Sequence, residues 1–309
     1  MNPFTRIIRT NQLKTNAVLA IYFALFLCIG LLGDIVRINA QSFAGALGAL
    51  LSFQIFPLIT CIMALCAIAV ILYSIGNFKQ IMLSGDTYKE LTAQSAQTQK
   101  EKEIVQILDE LLYQSQTPFR PRLYLLDAPY LNAFASGWNQ NNAIIALTSA
   151  LVGTLDRDEI KAVMAHELSH IRHGDIQLTL VVGILANIMT LALNFMVMAF
   201  FGGNRNDGAK TARSILAILS FILPLLTLFL QMFLSRSREY MADSGAAYLM
   251  NDNRPMIAAL QKISGSYEKY NFADVDTNPT RRAAYIFGFG EILSTHPSIE
   301  NRIRALMHK

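Results

Sequence analysis

Residues 157–204 read RDEIKAVMAHELSHIRHGDIQLTLVVGILANIMTLALNFMVMAFFGGN. The first part places apolar residues at helical spacing. Asp156 and Glu159 fit a capping box before it and Gly174 fits a stop after it, so a helix over Arg157–His173 is expected. The second part, from Ile176 to Asn204, contains no Asp, Glu, Lys or Arg. It is long enough to cross a bilayer core, which takes roughly 20 apolar residues. A helix rich in polar chemistry thus leads almost directly into a membrane segment.

Further charge-free runs lie at 15–33, 38–78 and 214–235. Four spans are expected, near 17–36, 49–75, 176–201 and 215–234. Composition agrees: 53% of the 309 residues are hydrophobic and 16% charged, against about 25% charged in ordinary soluble domains. This excludes a disordered chain and a disulfide-stapled secreted domain. Buried core helices of a large soluble protein would leave too little polar surface to cover them. A net charge of +4 is too small to argue for nucleic acid, and none is expected as a partner. A transporter would carry ionisable residues along its spans; here Asp34, near a span end, is the exception. Cys28, Cys61 and Cys66 fall in or beside apolar runs and read as small buried apolar residues. Arg6, Arg9 and Lys14 before the first run, with Ile38-Asn39-Ala40 after it, resemble a signal peptide. The run is too long for one, and Asp34 and Arg37 precede the triplet, so an uncleaved anchor is expected.

Two polar segments remain, 79–175 (9 basic, 12 acidic residues) and 235–309 (10 basic, 8 acidic). An even number of spans separates them, so both share the side of the N-terminal tail. Three basic residues in that tail, against Asp34 and Arg37 alone in the next loop, place this side in the cytoplasm. Arg205, Lys210 and Arg213 in the loop between spans three and four run against that orientation. Within the first segment, Ile104, Ile107, Leu108, Leu111 and Leu112 mark a helix over 99–116, broken by Pro118 and Pro121. Strands are expected at 122–126, 131–138 and 143–148, with Asn139-Gln140-Asn141-Asn142 as a hairpin turn. The stretch 265–290 reads as a loop.

The capped helix carries His166-Glu167-Leu168-Ser169-His170. Positions i and i+4 share a helix face, so two imidazoles can converge on one ion, and the intervening glutamate fits a general base toward a metal-activated water. At about 100° per residue, Ile160, Val163, Met164, Leu168 and Ile171 form an apolar sector beside a sector of His166, His170 and His173. Surface histidines on a solvated helix are the plainer alternative. Zinc needs a third protein ligand and an open fourth position. His173 is near in sequence but lies next to the Gly174 stop. Glu239, in Ser237-Arg238-Glu239-Tyr240-Met241-Ala242-Asp243, is the better candidate, with Asp243 one turn on to orient a ligating histidine. A salt bridge from Glu239 to Arg236 or Arg238 is the competing reading. His170 precedes span three by six residues and Glu239 follows span four by five, so a hairpin of these spans brings them to one membrane surface.

Together with Arg172-His173-Gly174-Asp175 and Ser294-Thr295-His296-Pro297, these motifs resemble the HtpX-type membrane metalloproteases, bacterial relatives of the CAAX prenyl endopeptidases. The likeness covers nearly the whole chain. It implies a mostly α membrane protein: four transmembrane helices with a cytosolic α+β, gluzincin-like protease domain carrying a small β-sheet. The divisions would be 1–78 (tail and first hairpin), 79–175 (protease part with the histidine helix), 176–234 (second hairpin) and 235–309 (protease part with the third ligand). It implies one Zn2+ per subunit held by His166, His170 and Glu239, with Glu167 as catalytic base. It further implies a zinc metalloendopeptidase of the bacterial inner membrane, facing the cytoplasm, that acts on membrane or misfolded polypeptides in quality control, often under stress. It suggests that His296 stabilises the oxyanion, where the residues alone equally allow a cap before Pro297. It also places a substrate-pairing strand at Asn132, Ala133, Phe134 and Ala135, where an ordinary hairpin strand is the alternative.

Overall fold

The computed structural model describes residues 3–200, 206–269 and 297–308. The chain forms α1 (Pro3–Arg37), α2 (Phe43–Leu51), α3 (Leu58–Leu83), β1 (Tyr88–Leu91), α4 (Gln99–Ser115), β2 (Arg122–Leu126), β3 (Ala133–Ser136), β4 (Ile144–Thr148), α5 (Ser149–Thr154), α6 (Arg157–His173), α7 (Ile176–Phe200), α8 (Asp207–Met250), α9 (Arg254–Lys269) and α10 (Ile299–Met307). It is mostly helical with one small mixed sheet. Contacts divide it into two units, one of Met1–Leu13, Asn77–Gly183 and Gln231–Lys309, the other of Lys14–Gly76 and Ile184–Leu230.

The second unit is apolar. Three helical stretches among the described residues are long and apolar enough to cross a membrane: Gln12–Arg37, Leu58–Leu83 and Asp207–Leu226. In α7, a shorter apolar stretch, Ile188–Phe200, is described. Large apolar side chains such as Leu65, Phe195 and Phe221 stand exposed, as lipid-facing residues do. Cys28 and Cys66 are also exposed and Cys61 half-buried, so the cysteines are not core residues as expected.

The span expected at 49–75 starts later. Helix α2 ends at Leu51, Phe53 turns left-handed (φ 57°), and α3 begins only after Pro57. Proline disfavours helical backbone at the residue before it, a break that the charge-free composition of 38–78 conceals. The new helix start is held by a residue from another helix. Asp34 of α1 is fully buried; its Oδ1 accepts from the Ile59 N–H (3.1 Å) and its Oδ2 from the Thr60 N–H and hydroxyl (2.9 Å each). Helix starts leave such N–H groups unsatisfied, and a carboxylate there also suits the helix dipole. Gly30, one turn earlier, permits the close approach: a Cβ there would lie 2.6 Å from Thr60 Cα.

In the other unit the strands are ordered β1-β2-β4-β3. Strand β2 is antiparallel to β1 (Tyr88 opposite Leu126) and parallel to β4 (Arg122 opposite Ile144). Strand β3 is antiparallel to β4 (Ala133 opposite Leu147) and forms an edge. The central β4, IIALT, is buried throughout, as its unbroken apolar run suggests. Strand β1 was not foreseen, β3 is shorter than the expected 131–138, and Gly265–Lys269 continues α9 rather than opening a loop.

Helix α6 has the expected bounds, with a reciprocal Asp156–Glu159 capping box and a left-handed Gly174 (φ 69°). Lys161 Nζ donates to Glu110 Oε2 of α4 (2.8 Å), and Arg157 also pairs with Glu110. Lys262 Nζ of α9 donates to Glu159 Oε2 (2.6 Å). Both the apolar and the histidine sector lie inside the protein, since every residue from Glu159 to Ser169 is buried. The second face is covered by the end of α8, where Ala242 and Ala246 are fully buried and Gly245 lies against Ser169.

Candidate metal centre

Helical periodicity sets His166 and His170 on one face of α6, and their rings meet edge to face at 4.7 Å. The Nε2 atoms are 3.1 Å apart. Glu239 enters from α8: Oε2 lies 3.5 Å from His166 Nε2 and Oε1 lies 3.7 Å from His170 Nε2. One ligand atom from each of the three falls within 4.8 Å of the others. A tetrahedral zinc with bonds of about 2.0–2.1 Å spaces its ligands by about 3.3 Å, so this donor set fits zinc in both size and chemistry.

The far side of each ring is occupied. Asp243 Oδ1 lies 2.9 Å from His166 Nδ1, and both Asp175 oxygens lie 3.1–3.2 Å from His170 Nδ1. Carboxylates at Nδ1 fix the tautomer that leaves Nε2 for a metal. Asp243 is the residue that the sequence offers to orient a ligating histidine, and it faces His166. Asp175 carried no assigned role there; the signal available was its position immediately after the Gly174 turn, which folds it back on His170. A second unassigned residue is Arg302 of α10, which reaches Asp243 and Glu239. Nothing in its local sequence marks it.

Glu167 is 1% exposed, and neither carboxylate oxygen completes a hydrogen bond among the described residues. Burial raises its pKa; the charges of His166 and His170 and the nearby Ala135 N–H act the other way. For His166, burial favours the neutral ring, but Asp243 and Glu239 outweigh it and push the pKa up to about 9. Asp175 is held below the usual carboxylate range despite burial, chiefly by the charge and hydrogen bond of His170. His173 is not part of the converging group, and burial lowers its pKa.

The edge strand β3 borders this site. The Thr148 N–H donates to the Asn132 carbonyl (3.0 Å), and the Asn132 N–H donates to Thr148 Oγ1 (3.0 Å). Antiparallel alternation then directs the backbone groups of Ala133 and Ala135 away from β4. The Ala133 N–H is taken by Asn132 Oδ1 at 3.0 Å. Asn132, Ala133, Phe134 and Ala135 are all buried. His296 lies outside the described residues.

The model of peptidase family M48 matches residues 98–309. A protease HtpX homolog of Helicobacter pylori (strain Shi470) is 58% identical over 100% of this chain and 99% of its own length. One from Helicobacter acinonychis (strain Sheeba) is 57% identical over 99% of both chains. The crystal structure of S. mikatae Ste24p aligns with 99% of this chain and 66% of its own, at 17% identity and a TM-score of 0.50, a likeness of fold. A family match over most of its length and end-to-end relatives at 57–58% identity mean that the chain belongs to peptidase family M48, among the HtpX-type membrane metalloproteases.

Proposed function

We propose that this membrane metalloprotease is a zinc-dependent endopeptidase with His166, His170 and Glu239 as ligands and Glu167 as general base. One observation carries the reading: two Nε2 atoms and a carboxylate converge beside a buried glutamate whose oxygens complete no hydrogen bond among the described residues. When bound there, zinc polarises the scissile carbonyl and acidifies a water. Asp243 and Asp175 orient the imidazoles through Nδ1. Glu167 accepts the water's proton on its carboxylate and returns it to the leaving amine. Its desolvated position makes it a stronger base than a free glutamate. An extended peptide pairs with the outward backbone of Ala133 and Ala135, which aligns the scissile bond with Glu167. His296 serves as oxyanion stabiliser, as the resemblance implies.

The cellular reading rests on charge and composition. Four spans, at 17–36, about 58–83, 176–201 and 215–234, anchor the chain in the bacterial inner membrane, and 79–175 with 235–309 form the cytoplasmic protease. Membrane or misfolded polypeptides are its substrates, in quality control under stress. The test is Glu167→Gln, which should retain zinc and lose cleavage of a model membrane protein. Cleavage at the wild-type rate would remove Glu167 from the role of base.

A further inference from the structure

Arg302 is among the bulkiest fully buried side chains described, with 0% exposure, and it comes from the short C-terminal helix rather than from α6 or α8. Its guanidinium grips Asp243 with two nitrogens, Nε to Oδ2 at 2.9 Å and Nη2 to Oδ1 at 2.6 Å. The third nitrogen, Nη1, lies 3.3 Å from Glu239 Oε2. One side chain therefore bridges a proposed metal ligand and the carboxylate that faces the first histidine.

Two buried carboxylates on successive turns of one helix repel each other and resist desolvation. A charge between them offsets both costs, and a planar fork does so at fixed angles, which an ammonium does not. We infer that Arg302 is a positioning residue of the metal centre: it locks Glu239 and Asp243 in one register, so that α10 is an integral part of zinc retention. This rests on the zinc reading above. Through these contacts with Asp243 and Glu239, Arg302 acts on the metal site by way of the two carboxylates. Charge from Arg302 also favours the ionised form of Asp243 against burial.

The experiment follows zinc leaving the full-length, detergent-solubilised protein into excess chelator, with thermal unfolding of the metal-free form measured in parallel. Wild-type protein that holds no zinc at all would overturn the zinc reading itself. Given wild-type binding, Arg302→Met should release zinc about 10–100-fold faster, the usual cost of losing an outer partner, and Arg302→Lys should recover only part of the difference. A purely structural Arg302 would instead lower the unfolding temperature and leave the release rate of folded protein within twofold of wild type, which would overturn the proposal. If Arg302→Met does not fold, the paired change Arg302→Gln with Asp243→Asn removes both charges together. Its release should be faster than from Asp243→Asn alone, since Glu239 then also loses its contact with Nη1. A release rate equal to that of Asp243→Asn alone would overturn the proposal.

Discussion

Asp243 Oδ1 and His166 Nδ1 lie 2.9 Å apart, and Asp175 repeats the arrangement on His170 at 3.1–3.2 Å. Each imidazole therefore has a carboxylate from outside the histidine pair behind it. Asp243→Asn and Asp175→Asn should each weaken zinc binding about 10–100-fold, and Asp243→Asn should also lower stability because Arg302 loses its buried partner. Competition with a calibrated chelator measures this. Wild-type affinity in both variants would mean that the carboxylates do not orient the rings.

The same carboxylates give zinc binding a pH dependence. In the metal-free protein Asp243 and Glu239 push His166 up to about 9, well above its ordinary 6.5, so the ring is protonated at neutral pH. A ligating imidazole must be neutral, so zinc uptake should release protons and tighten as pH rises toward 9. The stability term has the opposite sign. A raised folded-state pKa stabilises the metal-free protein fully below 6.5, and that contribution is lost as pH rises through about 9. Calorimetric titration in two buffers of different ionisation enthalpy checks the first effect. Thermal scans of metal-free protein at pH 6 and 9.5, compared with His166→Gln, check the second.

Helix approach at Gly245 sets how far Glu239 reaches. A Cβ there would meet Ser169 Oγ at 2.4 Å and Ser169 Cβ at 2.9 Å, and Ser169 is already committed to the Ala165 carbonyl at 2.8 Å. Gly245→Val should therefore push α8 off α6, cost about 1–3 kcal/mol, and lower bound zinc. Adding Ser169→Gly should restore part of both. Unfolding curves with metal analysis of the same samples decide it; unchanged zinc in Gly245→Val would contradict the close fit.

Much of this architecture was legible because its determinants are local. The Asp156–Glu159 box and Gly174 bracket α6 in the sequence as they do in space, and the i, i+4 spacing translates into Nε2 atoms 3.1 Å apart. Glu239 was within reach because the apolar runs fix where the chain leaves and re-enters the polar part. Arg302 was not, since it acts through a tertiary approach without periodicity or motif, and Asp175 is marked only by the Gly174 turn that folds it back on His170. Nor does composition mark a helix break inside apolar sequence, so the start of α3 at Leu58 was placed too early. Strand β1 is only four residues long and half-exposed, too short for alternation to register.

That break supplies a prediction remote from the metal centre. Asp34 accepts from Ile59, Thr60 and Arg37 while fully buried. Asp34→Ala should cost roughly 1–3 kcal/mol, the loss of a cap that leaves buried donors unsatisfied, without changing zinc content. Denaturant unfolding in detergent measures the loss; a midpoint equal to wild type would show that Asp34 does not hold the start of α3.

The most direct measurement is metal content of purified, folded full-length protein, wild type against Glu239→Ala. Wild type should hold one zinc per chain and lose activity to chelators, and Glu239→Ala should hold almost none at the same zinc concentration. A folded wild type that carries no metal and ignores chelators, or a Glu239→Ala variant that keeps its full complement, would contradict the convergence of His166, His170 and Glu239 on a single ion.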